Sequence, residues 1–112
     1  MTDTVTLGWP PLVLNPNMRV HWAKKAKAAK AYREACGWAC RGAKLVCGGG
    51  PVTLAITFYP PDRRHRDVDN LVASIKSGLD GVADALGIDD RLFSIEPMLH
   101  HEIGGFVRVR LV

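Results

Sequence analysis

Asp67-Val68-Asp69-Asn70 sets two carboxylates two residues apart, and a second acidic pair follows at Asp89-Asp90. In extended backbone, side chains at i and i+2 project to the same side, so oxygens of Asp67 and Asp69 can converge on one cation. Hard oxygen donors, with no histidine or cysteine at matching spacing, suit Mg²⁺, with Mn²⁺ as a substitute, better than zinc. Clustered aspartates repel one another, and a divalent ion relieves that repulsion. Phosphodiester hydrolysis is the reaction such an ion serves: it polarises the scissile phosphate, acidifies an attacking water and steadies the leaving oxygen. Taken singly, each acid has a simpler role. An aspartate at a helix start is usually a cap, and Asp89-Asp90 makes an ordinary turn. The presence of Arg63, Arg64 and Arg66 directly upstream shifts the balance, because guanidinium forks grip flanking phosphates bidentately and a cap does not require them.

Lys76 stands seven residues after Asp69, about two helical turns, so the two project from one side of a helix. Helical side chains lean toward the N-terminus, which would carry the ammonium toward the aspartates, where it could stabilise a pentacovalent phosphate or protonate a leaving group. A surface ion pair with Asp80, four residues on, accounts for the same lysine equally well. A second basic run, Lys24, Lys25, Lys27, Lys30 and Arg33, is suited to lining a DNA channel, although lysine-rich helices are most often solvated faces. With a formal net charge of +4, a polyanionic partner is favoured.

The elements that must position these groups follow from periodicity and breakers. Val5 to Trp9 reads as a short strand closed by Pro10-Pro11, and Asn15-Pro16-Asn17 as a turn. From about His21 to Cys40 the chain is rich in Ala, Lys, Arg and Glu, with Ala28, Tyr32, Ala35, Cys36 and Ala39 as the inward stripe of a helix. Gly48-Gly49-Gly50-Pro51 breaks the chain. Val52 to Tyr59 then alternates, with Val52, Leu54, Ile56 and Phe58 on one face of a strand. A second helix is expected over roughly 69–86, capped by Asp67 or Asp69 and ended by Gly87; its stripe is Leu71, Val72, Ile75, Leu79, Val82 and Leu86. Phe93 to His101 is extended but interrupted by Pro97. Gly104-Gly105 looks like a hairpin turn into a last strand, Phe106 to Val112, whose Arg108 and Arg110 suit a solvent-facing edge. The expected fold is one α+β domain over residues 1–112, a mixed β-sheet with two helices in the order β-α-β-α-β-β.

The 112-residue length, 47% hydrophobic and 23% charged composition belong to an ordinary globular domain, small enough to gain from a stabilising dimer. No apolar run reaches membrane-spanning length and no secretion-type leader opens the sequence, so a cytoplasmic protein without membrane association is expected. Cys36, Cys40 and Cys47 lack paired CxxC spacing and read as buried thiols of a reducing compartment. Nothing calls for a small-molecule cofactor. Trp9, Trp22 and Trp38 are expected in the core or a dimer interface rather than stacked on bases.

The stretch Asp62-Arg63-Arg64-His65-Arg66-Asp67-Val68-Asp69-Asn70-Leu71, followed by Lys76, Leu79-Asp80 and Asp89-Asp90-Arg91-Leu92-Phe93, resembles the RusA family of Holliday junction resolvases, crossover junction endodeoxyribonucleases often carried by prophages. Gly8-Trp9-Pro10-Pro11, Asn15-Pro16-Asn17 and His21-Trp22 are similar to the family's opening, so the likeness covers nearly the whole chain. It implies a RusA-like fold and a Mg²⁺-dependent homodimer that resolves four-way DNA junctions by paired symmetric nicks, in DNA recombination and repair. By position, Asp67, Asp69 and Asp90 match the metal-binding and catalytic carboxylates, and Lys76 the catalytic lysine. In the family pattern that lysine follows the Asp-Asn pair by one turn; this chain has Ala73 there and its lysine a turn later on the same face. Arg63, Arg64, Arg66, Lys24, Lys25 and Lys27 are the expected DNA contacts. Nucleases for flaps or forks, and a non-catalytic DNA-binding protein, are the competing readings.

Overall fold

The computed structural model describes residues 2–112. Its strands are β1 (Thr4–Gly8), β2 (Val52–Tyr59), β3 (Phe93–Leu99) and β4 (Phe106–Leu111), with helices α1 (Trp22–Gly42) and α2 (Val68–Leu86). Short 3₁₀ turns lie at Leu12–Leu14 and Asp90–Leu92. This is the expected α+β arrangement of two helices and a mixed sheet. The strand order is β1-β4-β2-β3, with β2 and β3 parallel and the other pairs antiparallel. No helix is long and apolar enough to cross a membrane among the described residues.

Alternation decides which face of the sheet is covered. Val52, Leu54, Ile56 and Phe58 of β2 are buried together with Val5, Leu7, Val107 and Val109, and the helices supply Tyr32, Cys36, Cys40, Leu71, Ile75, Leu79 and Val82 to the same core. The opposite face, including Thr6, Arg108 and Arg110, is left to solvent. Cys36 and Cys40 are free thiols that burial pushes up to about 11, so they stay protonated and inert at neutral pH. On α1 the inward stripe runs through Tyr32, Cys36, Gly37 and Cys40; Ala35, expected there, is exposed. The Tyr32 hydroxyl donates to the Gly8 carbonyl at 2.6 Å, tying α1 to the end of β1.

Two sequence expectations about the C-terminal third are corrected. Gly104-Gly105 does not turn a hairpin, because β3 and β4 are not neighbours: β4 inserts between β1 and β2. The glycines instead fold over the end of β2, where their N–H groups donate to the carbonyls of Pro60 and Tyr59. Arg108 and Arg110 therefore sit on an interior strand, on its open face, rather than on an edge. A period-two pattern reports which face is wet, not which strand lies alongside. Nor does Pro97 interrupt β3. The His100 N–H donates to the Phe58 carbonyl, so even-numbered residues of β3 address β2 and the Pro97 nitrogen points off the free edge, where no ladder bond is lost.

Candidate active site

The loop from Asp62 to Asp67 carries the chain from the end of β2 to the start of α2, and its conformation is held by its own side chains. The Asp62 carboxylate accepts the Arg64 N–H at 3.0 Å and pairs with the Arg66 guanidinium at 2.8 Å. These contacts, the Arg64 N–H foremost, hold the Asp62 carboxyl below the usual carboxylate range. Arg66 also donates to the carbonyls of Asp62 and Arg64, and its guanidinium lies over the Trp9 ring at 5.5 Å. Its side chain is only 17% exposed, against 82% for Arg64. Of the three expected phosphate contacts, Arg63 and Arg64 are exposed, whereas Arg66 is fixed within the protein.

Asp67 is the N-cap of α2, its Oδ1 accepting the Asp69 N–H at 2.9 Å. Both the capping and the functional expectation can hold together, because one oxygen suffices for the cap. Asp67 and Asp69 are both exposed at the positive end of the helix dipole. Gly87, left-handed at φ 69°, ends α2 where a side chain would be strained. The chain then enters the Asp90–Leu92 turn, which Asp89 caps through the Arg91 N–H. Arg91 hydrogen bonds lower the Asp89 carboxyl to about 2. That aspartate is taken up by the turn, whereas Asp90 faces Asp80.

Asp90 does not meet Asp67 and Asp69 within one chain. It lies against Asp80, and those two acids share the walls of two shallow grooves, one with Arg33 and Asp84 and one with Lys76. Asp69 and Asp80 are eleven residues apart, or about 16 Å along a helix axis. Topology imposes this. In a β2-α2-β3 crossover joining parallel strands, the start of the helix and the start of the second strand fall at opposite ends of the sheet. Consistently, no group of three or more His, Cys, Asp or Glu side chains is placed to hold a metal ion among the described residues. The expected convergence of three carboxylates is thus absent from the single chain. Lys76 keeps company with Asp80 and Asp90.

Partial burial raises the Asp80 carboxyl above the ordinary range; Arg33 opposes that shift and the like charge of Asp90 adds to it. Arg33 itself is clamped by Asp84, with hydrogen bonds of 2.7 and 2.8 Å, and so is withdrawn from the lysine run. Lys24 and Lys27 are exposed, and the Lys25 ammonium reaches the Asn15 carbonyl at 3.5 Å. Trp22 and Trp38 are 76% and 69% exposed; only Trp9 joins the core, edge-on to Phe58.

A cleft of about 290 Å³ opens beside the Asp67 end of α2. Trp9, Pro10 and Leu71 form its apolar wall, and Asn15, Asn17, Asn70 and Arg66 bring polar groups to it. Apart from the family likeness, the N-terminal asparagines carried only a turn signal in the sequence. Their meeting with Asn70, 55 and 53 residues on, is a tertiary event.

No family model matches the chain. It is 44% identical over 108 residues to an uncharacterised protein of Xylella fastidiosa (strain Temecula1 / ATCC 700964), an alignment that covers 90% of this chain and 69% of that protein.

Proposed function

The chain belongs to the same family as that Xylella fastidiosa protein, and we propose that it is a Mg²⁺-dependent endonuclease that cuts branched DNA, four-way junctions in particular, as a homodimer. The observation that carries the reading is the pairing of two exposed carboxylates, Asp67 and Asp69, with the exposed guanidinium groups of Arg63 and Arg64 at one end of α2. Carboxylates alone would repel a DNA backbone, and arginines alone would bind it without acting on it. Adjacent, they suit a cation-bridged phosphate.

The donor set fits a small hard cation. Mg²⁺ is commonly held by one or two carboxylates, with waters and substrate phosphate oxygens completing an octahedron, so the Asp67–Asp69 pair suffices as the protein's share. When bound there, the ion supplies polarisation of the phosphate and an acidified water. Asp67 and Asp69 hold and orient, and their placement is set by the cap that rigidifies the first turn. Arg63 and Arg64 grip phosphates flanking the cut. Lys24, Lys25 and Lys27 add non-specific, salt-sensitive affinity. Asp90 follows the far end of α2, away from the same subunit's Asp69, and shares a groove with Lys76 and Asp80; in this reading the second subunit brings its own Asp90 and Lys76 to the site.

The test is a labelled immobile four-way junction incubated with wild type and with Asp69→Asn, in Mg²⁺ and in EDTA. Wild type should nick two symmetric strands, EDTA should abolish the nicks, and the variant should bind without cutting. Equal nicking by Asp69→Asn would remove Asp69 from the mechanism. A wild type that cuts flaps or forks but spares the junction would reassign the substrate, and one that binds DNA yet never cuts would leave a binding protein.

A further inference from the structure

We propose that the cleft between the N-terminal turn and the start of α2 is a pocket for one unstacked nucleobase next to the scissile phosphate. The inference rests on the nuclease reading for its biological setting, but its chemistry is argued from the cleft alone.

Arg66 is the key to the ligand class. Its charge is met by Asp62, its N–H groups are engaged by two backbone carbonyls, and its guanidinium carbon stands over the Trp9 ring, 5.5 Å from the centroid. Held this way it offers the cleft a flat, already ordered π-surface with little uncompensated charge. That suits an aromatic ring better than a phosphate, and arginine planes are established stacking partners for splayed-out bases. Because the side chain is ordered before any ligand arrives, stacking carries little of the entropic cost that a mobile arginine would add.

The remaining walls supply what a base edge needs. Trp9, Pro10 and Leu71 give an apolar side, while Asn17 and Asn70 bring amides, each with donors and an acceptor. The hydrogen bonds at both asparagines run through the backbone: the Asn17 N–H donates to Asn15 Oδ1 at 2.9 Å, and the Asn70 carbonyl accepts the Ser74 hydroxyl at 2.7 Å. Their side-chain amides are therefore available to a ligand. Asparagine amides bonding a base edge discriminate between bases, as donor and acceptor patterns differ from one base to the next. The cleft volume of about 290 Å³ is at the small end of ligand pockets, roughly 300–1,000 Å³, which accommodates a single planar heterocycle. Asp67 lines the same cleft, so a base seated there places its own phosphate beside the Asp67–Asp69 pair.

The experiment uses the full chain in EDTA, ¹⁵N-labelled and titrated with single-stranded tetranucleotides of each of the four bases. The Trp9 indole and the Asn17 and Asn70 side-chain amide signals should shift together and saturate, at different concentrations for different bases. Asn17→Ala and Asn70→Ala, which both keep the backbone bonds described above, should each weaken the preferred tetranucleotide by about tenfold. Absence of shifts at these three residues, or variants that bind as wild type does, overturns the pocket. The two readings fail separately. Saturating shifts in a protein that cuts no branched DNA, whether junction, flap or fork, would sink the nuclease and leave the base pocket standing. Junction cutting without the shifts would do the reverse.

Discussion

At the scale of single residues, neighbours decide which charged groups remain free for chemistry. Among Arg33, Arg66 and Arg91, each is held by an aspartate, at 2.7, 2.8 and 3.0 Å respectively, while Arg64, 3.7 Å from Asp62, is still 82% exposed and Arg63 is open to solvent. The same sorting separates Asp89, bound by Arg91, from Asp90. Lys76 has an open choice between charge on a phosphate and company for Asp80. If it stabilises developing negative charge, Lys76→Ala should reduce junction cutting by about 10²–10³-fold with little change in junction affinity, and Lys76→Arg should recover part of the rate. Cutting by Lys76→Ala at the wild-type rate would assign the lysine to the surface pairing with Asp80.

At the scale of elements, the helix crossing is built on glycine. A Cβ on Gly81 would stand 2.1 Å from the Arg33 carbonyl oxygen, a backbone atom that cannot step aside, whereas one on Gly78 would meet the Tyr32 ring edge at 2.5 Å. Gly81→Ala must force α1 and α2 apart, and should cost about 3 kcal/mol or more in chemical denaturation; Gly78→Ala should cost less, because what it meets is the side chains of Tyr32 and Cys36 rather than backbone. Equal losses would show that the crossing adjusts as a whole. The Arg33–Asp84 clamp spans the same two helices. Its Arg33 hydrogen bonds depress the Asp84 carboxyl below its unfolded value. A depressed acid contributes stability at pH above its unfolded pKa, near 3.9, and that contribution fades as pH falls through the lower folded value. The melting temperature of wild type should thus fall below about pH 4, and Asp84→Asn should start lower and show a shallower acid dependence. Parallel curves for the two proteins would show that the clamp adds nothing, as exposed pairs sometimes do.

At the scale of the whole molecule, the crossover topology places the Asp67–Asp69 pair and Asp90 at opposite ends of one helix. A homodimer that closes each site with the partner's Asp90–Lys76 end makes a sharp prediction. Asp69→Asn and Asp90→Asn should each be inactive alone, and mixed after subunit exchange they should regain cutting at one site of each heterodimer, seen as single nicks. If the mixture stays inactive while Asp90→Asn alone is also dead, Asp90 serves its own subunit by another route, such as holding the turn after α2. Full activity of Asp90→Asn would exclude it from the reaction altogether.

The sequence by itself determined the local elements and their inward faces. The alternation of Val52 to Tyr59 and the stripe from Leu71 to Val82 are properties of nearest neighbours along the chain, so both helices and all four strands were legible with ends off by a residue or two. It also narrowed the cap to Asp67 or Asp69, of which the structure uses Asp67, and marked the Gly87 stop, both of which act within one turn of themselves. What depends on contacts between distant segments was decided only by the tertiary structure. Insertion of β4 between β1 and β2 moved Arg108 and Arg110 off the edge, the parallel β2–β3 pair pulled Asp90 away from Asp69, and Asn15 and Asn17 met Asn70 across a cleft. Strand order and helix crossing arise from burying faces against one another, and a face known to be apolar does not name the face that will cover it.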